Sequence, residues 1–570
     1  MEKKKKVNRK CFYALLATAI ICCVTGGILY FWLPALTVHN IYVWIYLLAI
    51  VIIAFIFAEM SNSAEKKFEY TRIRIKDFKL KNSKPFKIKL SHVLLSIALI
   101  LGLIILIGGL LSSEIINAKK YAARINVETA SFEEDIPTLY DLKKGPFMDT
   151  ESAKILGDRT IGSLSDVVSQ YSVSSHYTTI YYKGKVMKIA PLEYASFFKY
   201  LNNKNAGIPG YILIDTETNE AEFVRLENGF QYSPSASFSK DMKRKFRMAY
   251  PNLIMNEYSF QIDENGKPYW VMTFLQYNNL FGCQTVDKAA LMDAETGQCT
   301  LYDIEDLPEW VDYVLSGTTV SYFYNDYGAY QNGFINSIIG QKGCTKTTDD
   351  FGYVAMNDDI YIYTGVTSVV SDKSNIGFLL VNSRTNEYKY YEIAGAEEHS
   401  AMNAAEGVVQ NYGYSASFPA LININGEATY AMALKDSKGL VKMYGMVNVK
   451  NYSIVATGES MMETLNNYKT AMAETGTKLD VDLKNNIEDD NISTITGVIN
   501  DIKFIVEKGE TTVYITINEK VYKQAFSDNE YLILLKAGNV VDISFDPNES
   551  ENSIIKIVSI TRVTDNVSQD

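Results

Sequence analysis

Outside the apolar N-terminal region the chain has only two histidines, His176 and His399, so any Ser/His/Asp relay must use one of them. No G-x-S-x-G elbow or comparable nucleophile turn accompanies either. Both read as ordinary surface or helix-cap residues. Carboxylates pair at Asp349 and Asp350, at Asp358 and Asp359, and across Glu488, Asp489 and Asp490. Such pairs raise calcium binding or the acid/base couple of a glycan hydrolase, but none has EF-hand spacing. They read as solvated loops. Cys283, Cys299 and Cys344 allow one disulfide among three partners, with the pairing open. No CxxC or Cys/His cluster is present, so neither a metal site nor a cofactor is expected.

One charge pattern departs from its surroundings. Lys240, Lys243, Arg244, Lys245 and Arg247 crowd a single helical segment whose Met242, Phe246 and Ala249 fall at the spacing of a buried face. Outside a membrane, such a face could meet anionic wall polymers, lipid headgroups or a protein partner. A solvated face balanced by neighbouring acids is the plainer reading.

The elements that would position these groups divide sharply. The 570 residues carry a net charge of −11, but residues 1–113 sum to +11 and the remainder to −22. An acidic body of that size excludes a general nucleic-acid binder, which must neutralise phosphates. Apolar runs at 11–33, 41–58 and 93–111 each approach the ~20 residues that cross a bilayer as a helix. Basic segments precede the first run and fill residues 61–92, which places both in the cytoplasm. Three transmembrane helices then leave everything after Ser112 outside the cell. The first run is too long for a cleaved signal peptide and lacks its cleavage site. With no charge at mid-depth, the helices read as an anchor.

The outer region repeats itself. YILIDTETNEAEFV (211–224), ALMDAETGQCTLY (290–302) and FLLVNSRTNEYKYY (378–391) each join two strands through an Asp/Asn-x-x-Thr-Gly/Asn turn. The order hairpin, helix, hairpin, hairpin occurs twice, which predicts an α+β fold with duplicated antiparallel-sheet-plus-helix units at 176–310 and 350–460. A stalk and linker (114–175), a connector (311–349) and a second linker (461–490) separate them from the anchor and the tail. Short strands over 491–570 predict a small OB-like β-barrel, too acidic for a nucleic-acid role.

Tyr250-Pro251, the segment from Asp263 to Val271 and the turn from Asp293 to Gly297 together resemble the PepSY or cystatin-like module of bacterial exported proteins. The second copy matches loosely, because its turn at 448–451 lacks Thr-Gly. Stretches such as YTGVTSVVSD and SAMNAAEGVVQ resemble membrane-anchored envelope proteins of Gram-positive bacteria. The resemblance implies a non-enzymatic binding or scaffold role outside the membrane and brings no catalytic residue with it. Its partners would be an envelope protein, a wall polymer or a second copy of the chain, with the membrane itself as host. A secretion, conjugation or phage-related assembly and a wall-modifying hydrolase or transferase are the alternatives.

Overall fold

The computed structural model describes residues 9–73, 89–136, 148–216, 218–356, 358–369, 374–477, 479, 493–507, 510–518, 520–526, 530–551 and 554–562. Residues 74–88 of the basic loop, the start of the chain, part of the first linker and the acidic run at 488–490 lie outside these residues. The chain forms two compact units, Met1–Asp480 and Val481–Asp570.

Three apolar helices open the first unit: α1 (Arg9–Phe31), α2 (Ile41–Ile73) and α3 (Leu90–Ser112). Two of them, through Ile41–Met60 and Leu90–Ser112, are long and apolar enough to cross a membrane. The expectation of three such helices is corrected here, since the apolar part of α1 covers only Leu15–Phe31. At its C-terminal end the run of apolar residues continues to Leu33, but the helix stops at Phe31, two residues before Leu33 takes a left-handed φ of 50° ahead of Pro34. Leu99 and Leu106 of α3 are two-thirds exposed, facing away from the rest of the protein. Two apolar helices near the N-terminus are consistent with membrane anchoring.

Beyond α3 a short helix, α4 (Glu114–Ala122), leads into strand Val127–Ala130. This strand pairs in parallel with Tyr388–Tyr391. Four larger sheets then follow, antiparallel apart from that one parallel pairing. Sheet one spans Tyr171 to Phe230 with five strands, and sheet two is the meander Ile254–Ile262, Pro268–Tyr277, Gln284–Asp293 and Cys299–Asp303. Sheet three has six strands and includes Val127–Ala130, while sheet four holds five between Ser415 and Gly458.

This serial arrangement replaces the expected α+β pair of separate sheet-plus-helix units. Alternate residues of one strand enter different cores: Trp270 and Met272 pack with Ile189 and Ile212 of sheet one, whereas Val271 packs with Ile362 and Leu379 of sheet three. Phe378 and Leu380, on the other face of sheet three, meet Tyr430 and Met432 of sheet four. Sheets two and three are therefore covered on both faces. A PepSY-like unit would cover one face with its helix; here a neighbouring sheet does much of that covering.

The three repeated turns form as hairpins. Asp215 Oδ1 accepts the Thr218 N–H at 3.1 Å, Asp293 Oδ1 accepts Glu295 and Thr296 at 2.8 and 3.0 Å, and Asn382 Oδ1 accepts Arg384 and Thr385 at 2.9 and 3.0 Å. Asn219, Gly297 and Asn386 close them with positive φ.

The second unit is one six-stranded sheet whose pairing runs from Ser493–Val498 through Val540–Glu551, Ile554–Arg562, Lys520–Ala525 and Glu510–Ile517 to Asp501–Glu507. The expected OB-like barrel does not close, because among the described residues the two edge strands do not pair. Within the stretch expected to be short strands, Glu530–Leu534 is a 3-10 helix that buries Leu532.

Candidate functional site

Hairpin tips from the first three sheets converge on a cleft of about 600 Å³. Sheet one supplies the turn at Lys183 and Gly184, both at positive φ, and sheet two supplies Asp263 and Glu264. Sheet three contributes Asp358, Asp359 and Arg384, and the connector after sheet two adds Glu309, Trp310 and Asp312. Each tip has a local cause. Asp263 Oδ1 caps its own turn by accepting the N–H groups of Asn265 and Lys267, both at 2.9 Å. Arg384 projects from the repeated turn that Asn382 holds, so turn chemistry positions the one guanidinium in the cleft.

Arg384 grips Asp359 with both arms, Nε to Oδ1 and Nη2 to Oδ2 at 2.8 Å each, and the Asn382 amide donates to the same carboxylate at 2.8 Å. Asp312 differs: it is 2% exposed. Its Oδ2 accepts the Tyr181 N–H at 2.6 Å, and its own N–H donates to Oε1 of the fully buried Gln261 at 2.9 Å. Burial pushes the Asp312 carboxyl up to about 8, the negative Asp359 adds to the rise, and the Tyr181 N–H and Arg384 only partly oppose it. At neutral pH the cleft therefore holds a protonated Asp312 beside the Asp359 side chain that Arg384 grips. Asp263, Glu264, Glu309, Asp358 and Asp359 outnumber Lys183 and Arg384, so the opening favours cationic and hydroxyl-rich groups. Trp310 stacks on Tyr269 with ring centres 4.9 Å apart and offers a flat apolar surface at the rim.

A second cavity, about 250 Å³, lies where sheets one, three and four meet. Lys188 lines it, 6% exposed, with one hydrogen bond to Thr179 Oγ1 at 3.2 Å. Burial pulls the Lys188 ammonium down to about 8, against a smaller upward pull from Asp149. Asp149, at the same cavity, is taken up by Lys435 and by capping Ser152 at 2.8 Å.

The basic helix singled out in the sequence is Met242–Ala249, capped by Asp241, whose Oδ1 accepts the Arg244 N–H at 2.7 Å. It does not line the acidic cleft. Arg244 Nη2 donates to the Tyr30 carbonyl at 3.2 Å and its guanidinium lies 3.9 Å over the Tyr30 ring; Arg247 Nε donates to the Leu33 carbonyl at 2.8 Å. Lys240 and Lys245 lie over Tyr232, and Lys243 over Tyr258. The five residues are thus together, but two of them clasp the end of α1. His399 pairs with Asp350 at 2.9 Å, and His176 lies near Ser174. Cys283, Cys299 and Cys344 are free thiols, and among the described residues no cluster of metal-ligating side chains forms.

Sequence reasoning passed over Asp312, Trp310 and Arg384. The signal for Asp312 was present: a lone carboxylate inside the apolar run WVDYVL.

No family model matches the chain, and no curated protein matches it. Solved structures to which it is similar include a polysaccharide lyase (10% identity, 50% of this chain and 46% of the lyase, TM-score 0.16). An endo-1,4-β-xylanase from Bacteroides thetaiotaomicron VPI-5482 follows (10% identity, 51% and 76% covered, TM-score 0.17). An endo-arabinase from the same organism gives 13% identity, 47% and 68% covered, and a TM-score of 0.14. The chain spans less than half the length of the lyase, and overlaps this loose carry no functional argument.

Proposed function

We propose that this is a membrane-anchored, extracytoplasmic binding or scaffold protein of the cell envelope, held by α2 and α3 as a multi-pass anchor. One observation carries the reading: the α1–α2 connection and the end of α3 seat on the same sheet. Leu36 N–H donates to the Pro251 carbonyl at 2.8 Å, and Phe281 N–H donates to Ser112 Oγ at 3.0 Å. The start of α2 and the end of α3 therefore both lie toward the sheets, as two passes joined by a cytoplasmic loop require. The basic residues flanking α2 and α3 favour the cytoplasm for the opposite ends.

The ligand class that suits the acidic cleft is a cationic, hydroxyl-rich segment of an envelope protein or wall polymer. Protease added to intact protoplasts tests the placement. Cleavage within the sheets before lysis is expected; cleavage only after lysis would end the reading.

A wall-modifying hydrolase is the second reading, favoured by the protonated Asp312 in the same cleft as the Asp359 carboxyl group. Against it, Asp312 is buried and already committed to the Tyr181 N–H, which leaves it poorly placed to reach a glycosidic oxygen. Release of soluble fragments from wall material by the purified protein, lost in Asp312→Asn, would favour this second reading.

A further inference from the structure

The edge of sheet one nearest the end of α1 exposes a group of aromatic side chains that pack into no core. Phe198 is 74% exposed, Phe197 49% and Phe238 50%, and Met248 on the basic helix is 73% exposed. They form one surface: the Phe197 ring lies 6.0 Å from Phe198 and 6.1 Å from Phe238. The two segments carrying them are fastened together beneath, where the buried Tyr200 hydroxyl donates to the Ser237 carbonyl at 2.8 Å.

Phe238 also holds a left-handed φ of 58°, a conformation that costs a bulky side chain about 1 kcal/mol or more. No buried packing of its ring offsets that cost. Strain that presents a large apolar ring to the outside is explained by something that covers it.

The end of α1 lies beside this surface. Arg244, on the helix that follows Phe238, reaches the carbonyl and the ring of Tyr30 at the end of α1. Tyr30, Phe31 and Trp32 themselves form an exposed aromatic end to that helix. Aromatic residues at such a boundary belong to the headgroup layer of a bilayer. Lys199 and Lys240 flank the phenylalanines in sequence and complement anionic headgroups.

We propose that Phe197, Phe198 and Phe238 dip into the outer leaflet of the bilayer, with their neighbouring lysines at the phosphate level, so that sheet one lies on the membrane as well as being joined to it. This rests on the anchored reading above. Its role would be to add a second, lateral hold on the tilt of the ectodomain to the one that the seated helix ends give.

The test uses the full chain in phosphatidylcholine/phosphatidylglycerol vesicles, with brominated phosphatidylcholine as a contact quencher of tryptophan. Phe198→Trp adds one emitter at an exposed position where folding is not at stake; Tyr412→Trp, 67% exposed on the sheet-four side, is the control. Loss of most of the emission added by Phe198→Trp, with that added by Tyr412→Trp retained, is expected. If the native emission from Trp32 and Trp44 is quenched but that of Phe198→Trp is not, the insertion is wrong and the anchor stands. If neither is quenched, the anchored reading itself fails. A blue-shifted but unquenched Phe198→Trp signal means that another protein surface covers the patch, which also overturns the proposal.

Discussion

Arg247 donates through Nε to the carbonyl of Leu33, two residues past the end of α1, while its Nη1 reaches the carbonyls of Tyr250, Pro251 and Leu253 at 3.1, 3.2 and 2.6 Å. One planar cation thus satisfies carbonyls from both the membrane hairpin and the loop that enters sheet two. Replacing it leaves several acceptors without a donor.

Arg247→Ala should therefore cost roughly 2–4 kcal/mol and loosen the hairpin at 34–40 from the sheets. Arg247→Lys should recover little, since an ammonium cannot span the same carbonyls. Thermal unfolding in detergent, read together with protease cleavage in the hairpin, checks both expectations.

Asp312 makes stability fall as pH rises. Its carboxyl is raised in the folded protein to about 8 from 3.8, so the folded state binds the extra proton between those values and its advantage declines across that window. Asp312→Asn keeps an acceptor for the Tyr181 N–H but cannot ionise. Urea midpoints at pH 5 and pH 8 should differ less in this variant than in the parent, with the variant gaining on the order of a few kcal/mol at the higher pH. An unchanged difference would show that Asp312 is ionised at neutral pH.

Lys188 has the opposite sign. Its ammonium is depressed to about 8 from 10.5, so a burial penalty is fully present below pH 8 and is relieved as pH climbs toward 10.5. Lys188→Met should stabilise the protein at pH 7 by roughly 2–4 kcal/mol, with the gain shrinking above pH 8. Asp149, Lys435, Tyr353 and Tyr363 face the same cavity, so the measurement is the difference between parent and variant at each pH.

The repeated turns separate two contributions at Asp293. Its Oδ1 holds the turn while its Oδ2 pairs with Lys267 at 2.8 Å. Asp293→Asn should retain the turn and lose well under 1 kcal/mol from a partly exposed pair. Asp293→Ala should lose about 1–3 kcal/mol, because two N–H groups lose their acceptor. Denaturant midpoints of the two variants should keep that order.

Local chemistry was readable in the chain; long-range packing was not. The Asp/Asn-x-x-Thr-Gly/Asn turns carry their own acceptors and left-handed residues, so Asp215, Asp293 and Asn382 act where the pattern placed them. The stacking of sheets was hidden because a strand such as Gly377–Asn382, buried along its whole length, reads the same whether helices or other sheets cover it. The basic helix was visible as charge, but nothing in its spacing says that Arg244 and Arg247 serve backbone carbonyls of a helix more than two hundred residues earlier. Asp312 and Arg384 lie far apart in sequence and meet only where sheets one to three converge.

The parallel pairing of Val127–Ala130 with Tyr388–Tyr391 has a consequence for biosynthesis. The first strand to leave the helices must wait, unpaired, until nearly all of sheet three has been made. Contacts this distant along the chain close late and slowly. During that interval an open strand edge is available to an assembly factor or a nascent neighbour.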